Sequence, residues 1–134
     1  MNKIKSSIQK SKIWSFNRKI IVNDKVSGQI PNGTITWLEI EPNIYSYCES
    51  GQGTSCNINK NFLKYYKFIF EGDKYTVYKQ CGRIFYTSNS NNRAVTLDYD
   101  NIYYITLNET INGFAMEIIS DSNAIVVKTN YYLK

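Results

Sequence analysis

Residues Ile44–Gly51 read IYSYCESG, and the period of two in this stretch decides the fold. Tyr45, Tyr47 and Glu49 fall on one side of an extended chain, and Ser46, Cys48 and Ser50 on the other, which is the alternation of a β-strand. A carboxylate sharing a face with two phenols poses a definite problem. If that face looks into a core, Glu49 needs a cation or hydrogen-bond donors, because an unpaired buried carboxylate costs several kcal/mol and protonates instead. If the face looks into water, nothing is required of it.

The same texture extends in both directions. Short runs rich in Tyr, Ile, Val, Thr and Phe cover Trp14–Val22, Lys25–Ile30, Gly33–Glu41, Ile44–Glu49, Leu63–Glu71, Lys74–Gln80, Arg83–Ser88, Ala94–Tyr99, Ile102–Asn108, Gly113–Ile119 and Ala124–Leu133. Between them stand PNG, EPN, EGDK, CGR, SNSNN, ETING and SDSN, which supply the Gly, Asn and Asp of tight turns. Strands joined so closely must be antiparallel neighbours, since parallel pairing needs crossovers of a dozen residues or more. About eight to ten short strands with almost no helix leave a sandwich or a barrel. A hairpin meander closes on itself and removes exposed edges, so the expectation is an all-β, antiparallel up-and-down barrel. The stretch Ser50–Asn61 (SGQGTSCNINKN) reads as a lid or rim loop. Ahead of the strands, Ile4 and Ile8 stand four apart among lysines, which predicts a short basic helix or arm over residues 1–12.

Composition sets the outer limits. A chain of 134 residues with 43% hydrophobic and 15% aromatic content suits one domain, 1–134, with a real core. Apolar runs such as Ile125–Val127 fall far short of the ~20 residues of a bilayer helix. The basic N-terminus is followed by no apolar segment and cleavage site of a secretory signal, so a cytoplasmic location is expected. Cys48, Cys56 and Cys81 lack paired spacing and the chain has no His, which leaves no metal centre or cofactor to expect and three reduced thiols. The net charge of +5 is spread along the chain and reads as a solvated surface.

WSFNR at Trp14–Arg18, YCESG at Tyr47–Gly51, YYKF at Tyr65–Phe68, GRIF at Gly82–Phe85, DNIY at Asp100–Tyr103 and the terminal YYLK together resemble, in order, a small bacterial family of uncharacterised lipocalin-like domains. The resemblance implies a compact calycin-type barrel preceded by a short helix and brings no activity with it. It departs at Lys12, where the lipocalin-type opening has Gly. It departs again at Thr96 and Asp98, where the family has His and Cys, and at Tyr132 and Lys134, where the family ends in Y-x-R. A role resting on that His does not carry over.

Several side chains then become candidates. Trp14 and Arg18 share a strand face, and the lipocalin resemblance implies that the guanidinium stacks across the tryptophan, closing the barrel bottom, a contact worth about 0.5–2 kcal/mol. Tyr47 and Glu49, if inward, call for Arg18, Arg83, Lys128 or Lys134 as a partner; otherwise Glu49 ends its strand in water. Asp98, Asp100 and Tyr103 crowd one hairpin, either as acid–base groups or as turn formers. Arg83 can clasp a ligand carboxylate or lie in solvent. The rings at Tyr65, Tyr66, Phe68, Phe70, Tyr75, Tyr78, Phe85, Tyr86, Tyr103 and Tyr104 either wall a pocket or fill the barrel themselves.

The functional expectation is a binding module for a small apolar or aromatic molecule, with Arg18, Tyr47, Glu49, Tyr66, Tyr78, Arg83, Phe85, Tyr103 and Tyr132 as the ligand-binding set and no catalytic residue assigned. Two rivals stand beside it. A small enzyme would use buried carboxylate and tyrosine acid–base chemistry and requires a raised carboxyl pKa. Single-stranded nucleic acid would stack on exposed rings flanked by Lys64, Lys67, Lys74 and Lys79, although an OB-fold reader uses only five strands.

Overall fold

The computed structural model describes residues 2–98 and 101–134. Helix α1 (Lys3–Lys10) leads into ten strands: β1 (Ile13–Val22), β2 (Lys25–Glu41), β3 (Ile44–Ser55), β4 (Ile58–Glu71), β5 (Lys74–Lys79), β6 (Ile84–Ser88), β7 (Arg93–Asp98), β8 (Asn101–Thr110), β9 (Gly113–Ser120) and β10 (Ile125–Leu133). Pairing is antiparallel throughout, and the sheet order β6-β5-β4-β3-β2-β1-β10-β9-β8-β7 is a meander whose last strand returns to its first. The closing ladder runs from Trp14↔Leu133 to Val22↔Ile125. The expected up-and-down barrel is therefore present, nearly closed, with β6 and β7 as the facing edges of a seam. Side chains cross that seam: the Thr96 hydroxyl donates to the Phe85 carbonyl, and Lys79 Nζ lies 3.1 Å from Asp98 Oδ1. Among the described residues no helix is long and apolar enough to cross a membrane.

The turns explain the wealth of asparagine. Asn23 and Asp24 (φ 48° and 65°) and Cys56 and Asn57 (51° and 65°) form two-residue hairpin tips with both residues left-handed, and Asn43, Asn92 and Asn123 adopt the same region singly. Asn and Asp enter that region at least cost after Gly, because their short side chains bond the local backbone. Two expectations are corrected here. Ser50–Asn61 is no loop: Ser50–Ser55 and Ile58–Asn61 are paired strand, and only Cys56–Asn57 turns. The runs Lys25–Ile30 and Gly33–Glu41 are one bent strand, since the ladder to β1 jumps from Gly33/Phe16 to Ile30/Arg18 and absorbs Pro31 and Asn32 as an irregularity. Proline has no N–H for the ladder, and a bulge is where a strand tolerates it.

At that corner Phe16 lies directly over Gly33. A β-carbon on Gly33 would fall inside the van der Waals envelope of Phe16 Cε1 and Cζ, so the residue must be glycine for the wall to curve this tightly.

One end of the barrel is stoppered by α1. Asn2 caps it, accepting from the Ile4 and Lys5 amides at 2.9 and 3.4 Å, and its amide reaches the Asp73 carbonyl in the β4–β5 turn at 3.2 Å. Lys5 bonds Asn43 in the β2–β3 turn, and Ser11 Oγ donates to the Lys134 carbonyl. With the helix so held, Ile4 and Ile8 are buried inside the barrel end, each worth about 1.5–3 kcal/mol. The helix expected from the spacing of these two isoleucines is the plug.

Candidate functional site

Alternation carries Trp14, Phe16 and Arg18 of β1 inward, and it carries Tyr45, Tyr47 and Glu49 of β3 inward to meet them. Arg18 and Glu49 form a two-pronged ion pair, Nη1 to Oε1 at 2.5 Å and Nη2 to Oε2 at 2.9 Å, with the glutamate side chain 3% exposed. Arg18 Nε donates to Thr129 Oγ1 of β10 at 2.9 Å, and the Tyr47 hydroxyl donates to Glu49 Oε2. The network thus ties β1, β3 and β10 together across the interior.

Its electrostatics follow from burial and pairing. Burial pushes the Glu49 carboxyl up, but the Arg18 fork and the Tyr47 hydroxyl more than offset this and hold it below the ordinary carboxylate range. For Arg18, burial works against the charge, and the bonds to Glu49 overcome it. Burial drives the Tyr47 phenol well above its usual value, and it raises Tyr131 as well, with the Glu49 charge adding to the rise in both. Tyr66 is pushed up to about 12, by burial first and then by Glu49.

Around this network lies a cavity of about 290 Å³. Its aromatic side is built by Trp37, Tyr47, Tyr66, Phe68, Phe85 and Tyr86, and its aliphatic side by Met116, Ile118, Ile125 and Val127, with Ile4 of the plug at one end and Ile20 toward the other. The rings are interlocked: Trp37 stands edge-on to Tyr47 and Phe68 at 4.9 Å each, and Tyr66 stacks on Phe85 at 5.7 Å. Among the buried side-chain polar atoms of the described residues, Trp37 Nε1 is the one without a hydrogen-bond partner.

Of the residues expected to bind ligand, Arg18, Tyr47, Glu49, Tyr66, Phe85 and Tyr103 do line this cavity. Of the four cations offered to Glu49, Arg18 is its partner. The other three candidates lie elsewhere. Tyr78 is turned outward, under Lys67 Nζ at 5.2 Å, because β5 alternates and Tyr75 and Val77 take its inner face. Arg83 is exposed in the β5–β6 turn, and Tyr132 is exposed on the outer wall, where its hydroxyl accepts from Asn17. The expected Trp14–Arg18 stacking is also corrected: the guanidinium lies over Phe16, 4.9 Å from the ring centre, while Trp14 packs against Trp37, Phe114 and Tyr131. In the Asp98, Asp100 and Tyr103 group, Asp98 pairs with Lys79, Tyr103 faces the cavity, and Asp100 lies outside the described residues.

Trp14, Trp37, Thr129 and Tyr131 are cavity or network residues that sequence reasoning left out of the site. Trp37 carried a usable signal, because Ile35 and Trp37 alternate with Thr34, Thr36 and Leu38 just as Tyr45 and Tyr47 do in β3. For Tyr131 against Tyr132 no local signal exists. Their facing is set by the long-range register Phe16↔Tyr131.

No protein-family model matches the chain, and no curated protein matches it. Among solved structures the chain is similar to a de novo designed fluorescence-activating β-barrel, at a TM-score of 0.50 with 9% identity, covering 92% of this chain and 93% of the other. That likeness shows the β-barrel fold.

Proposed function

We propose that the protein binds one small, uncharged, largely aromatic molecule inside the barrel. The observation that carries this is the cavity of about 290 Å³, walled by rings and aliphatic side chains around a polar network that already satisfies its own charges. Apolar cavities of about 150 Å³ accept benzene, so twice that space suits two fused rings with a short substituent. The buried charges offer a charged ligand little reward, since Arg18 is committed to Glu49 and Asp98 to Lys79, and the other lining cation, Lys64, is exposed to solvent. The similarity to lipocalin-like domains in motif order agrees with this reading, and membership of that family is part of the proposal.

The rival chemistries fit less well. An acid–base role for Glu49 needs its pKa raised, whereas the Arg18 fork holds it down and ionised. Stacking on single-stranded nucleic acid needs a row of exposed rings, but Phe68, Phe70, Tyr75 and Tyr86 are buried, and the exposed Tyr65, Tyr104 and Tyr132 stand on β4, β8 and β10, no two of which are neighbours in the sheet. The test is a fluorescence titration with the neutral naphthyl ketone 6-propionyl-2-(dimethylamino)naphthalene. A saturable blue shift at one probe per chain, lost when Met116→Trp fills the cavity, supports the proposal. Emission that stays at its aqueous position contradicts it.

A further inference from the structure

We propose that the outer edge of β4 over Ile58–Lys64 takes up an extended acidic segment of another protein as an added antiparallel strand. This surface is separate from the interior site. β4 pairs with β3 along its length, from Ser55↔Ile58 to Ile44↔Ile69, but its pairing with β5 reaches no further than Tyr66↔Lys79. Residues 58–64 therefore stand on an open edge, and apart from the half-buried Phe62 they are exposed. The ladder decides which backbone groups face outward. The Phe70 amide bonds the Asn43 carbonyl on the β3 side, and the β3–β4 register runs without a bulge, so alternation turns the N–H and C=O of Asn59, Asn61 and Leu63 away from β3. Among the described residues no strand or turn meets them there.

An unpaired edge is a template for another strand, and the side chains along it set the chemistry of that strand. Lys60 and Lys64 point to one side with Phe62 between them, while Asn61 and Leu63 take the other. Neither lysine has an ion-pair partner among the described residues, and Glu49, opposite Lys64 in the ladder, is held by Arg18. A second copy is the poorer fit, since pairing β4 with its own copy about Phe62 sets Lys60 against Lys64. The complement is a strand with carboxylates at matching spacing and apolar side chains between them.

The probe is the acetylated and amidated peptide TEVLTET, whose glutamates fall opposite Lys64 and Lys60 in antiparallel register. Titrated into the 15N-labelled full chain, it should move the amides of Asn59, Asn61 and Leu63 downfield and slow their exchange with solvent. The amides of Phe62 and Lys64, which face β3, should stay nearly in place. Leu63→Pro removes one outward N–H at an edge position where proline is tolerated, and should abolish binding with the β3–β4 ladder intact. In Lys60→Glu the affinity for TEVLTET should fall by roughly fivefold, and TEVLTKT, which sets a lysine against that position, should become the better ligand. Shifts confined to cavity residues, binding undiminished in Leu63→Pro, or no shift at millimolar peptide would overturn the proposal. Edge amides that move with protein concentration in the absence of peptide would overturn it too, by showing that a second copy covers the edge.

Discussion

Replacing Arg18 by Met removes both prongs of the fork and the bond to Thr129 while keeping an unbranched apolar stem in place. Glu49, its side chain 3% exposed, is left with Tyr47 alone. Breaking a buried pair from one side costs about 3–5 kcal/mol, because the remaining charge stays desolvated. With 134 residues, at about 2.1 cal/mol/K of unfolding entropy per residue, the chain should lose roughly 11–18 °C of Tm at neutral pH. The pH dependence is diagnostic. In the wild type the folded carboxyl lies below its unfolded value, so its contribution is complete above the unfolded value of about 4.3 and drains away as pH falls through the folded one. In Arg18→Met the folded value rises above the unfolded one, so the variant regains stability as pH falls. Scanning calorimetry from pH 7 to pH 4 should therefore show the gap narrowing, and the double variant Arg18→Met/Glu49→Met should restore most of the loss. A gap of under about 3 °C at neutral pH, unchanged by acid, would show Glu49 hydrated and the network without consequence.

Three further outcomes test separate parts of the structure. Gly33→Ala drives a methyl into Phe16 at the β2 corner and should destabilise by about 1–3 kcal/mol in urea unfolding; a neutral substitution would mean that the corner is relaxed. Ile8→Ala, at a site 1% exposed in the helical plug, should cost about 2–4 kcal/mol in the same assay, and a cost under about 0.5 would mean that α1 does not seal the barrel. Difference absorbance titration of wild type against Tyr66→Phe should place one phenol at about 12, so that its contribution to stability falls as pH climbs from about 10 toward that value; a step near 10 would place Tyr66 in water.

Much of this architecture was legible because its periodicities are local. The alternation in IYSYCESG turned Tyr47 and Glu49 to one face, the spacing of Ile4 and Ile8 produced the plug, and Asn-rich punctuation marked the hairpins. Pairing with β1 chose Tyr131 over Tyr132, and the β2 irregularity carried one strand through Pro31 where two were expected; Tyr78 differs, since it stands three residues from the inward Tyr75 and alternation alone puts it on the outer face. Ser50–Asn61 is poor in strand formers yet is held as strand, because Ser50–Ser55 pairs with Ile58–Leu63 on one side and with Gly28–Thr34 in the first half of β2 on the other. Arg18 emerged from four cations because its position on β1 faces Glu49 across β2, a relation of sheet order that spacing does not reveal.

The most direct measurement is a methyl-edited NOE spectrum of the protein saturated with 2-acetylnaphthalene. Contacts from the naphthyl protons to the methyls of Met116, Ile118 and Val127, on the wall facing Trp37 and Tyr66, are the expected result. Contacts confined to outward methyls such as Leu38, Leu63 or Val95, with the inner methyls silent, would contradict an interior binding site.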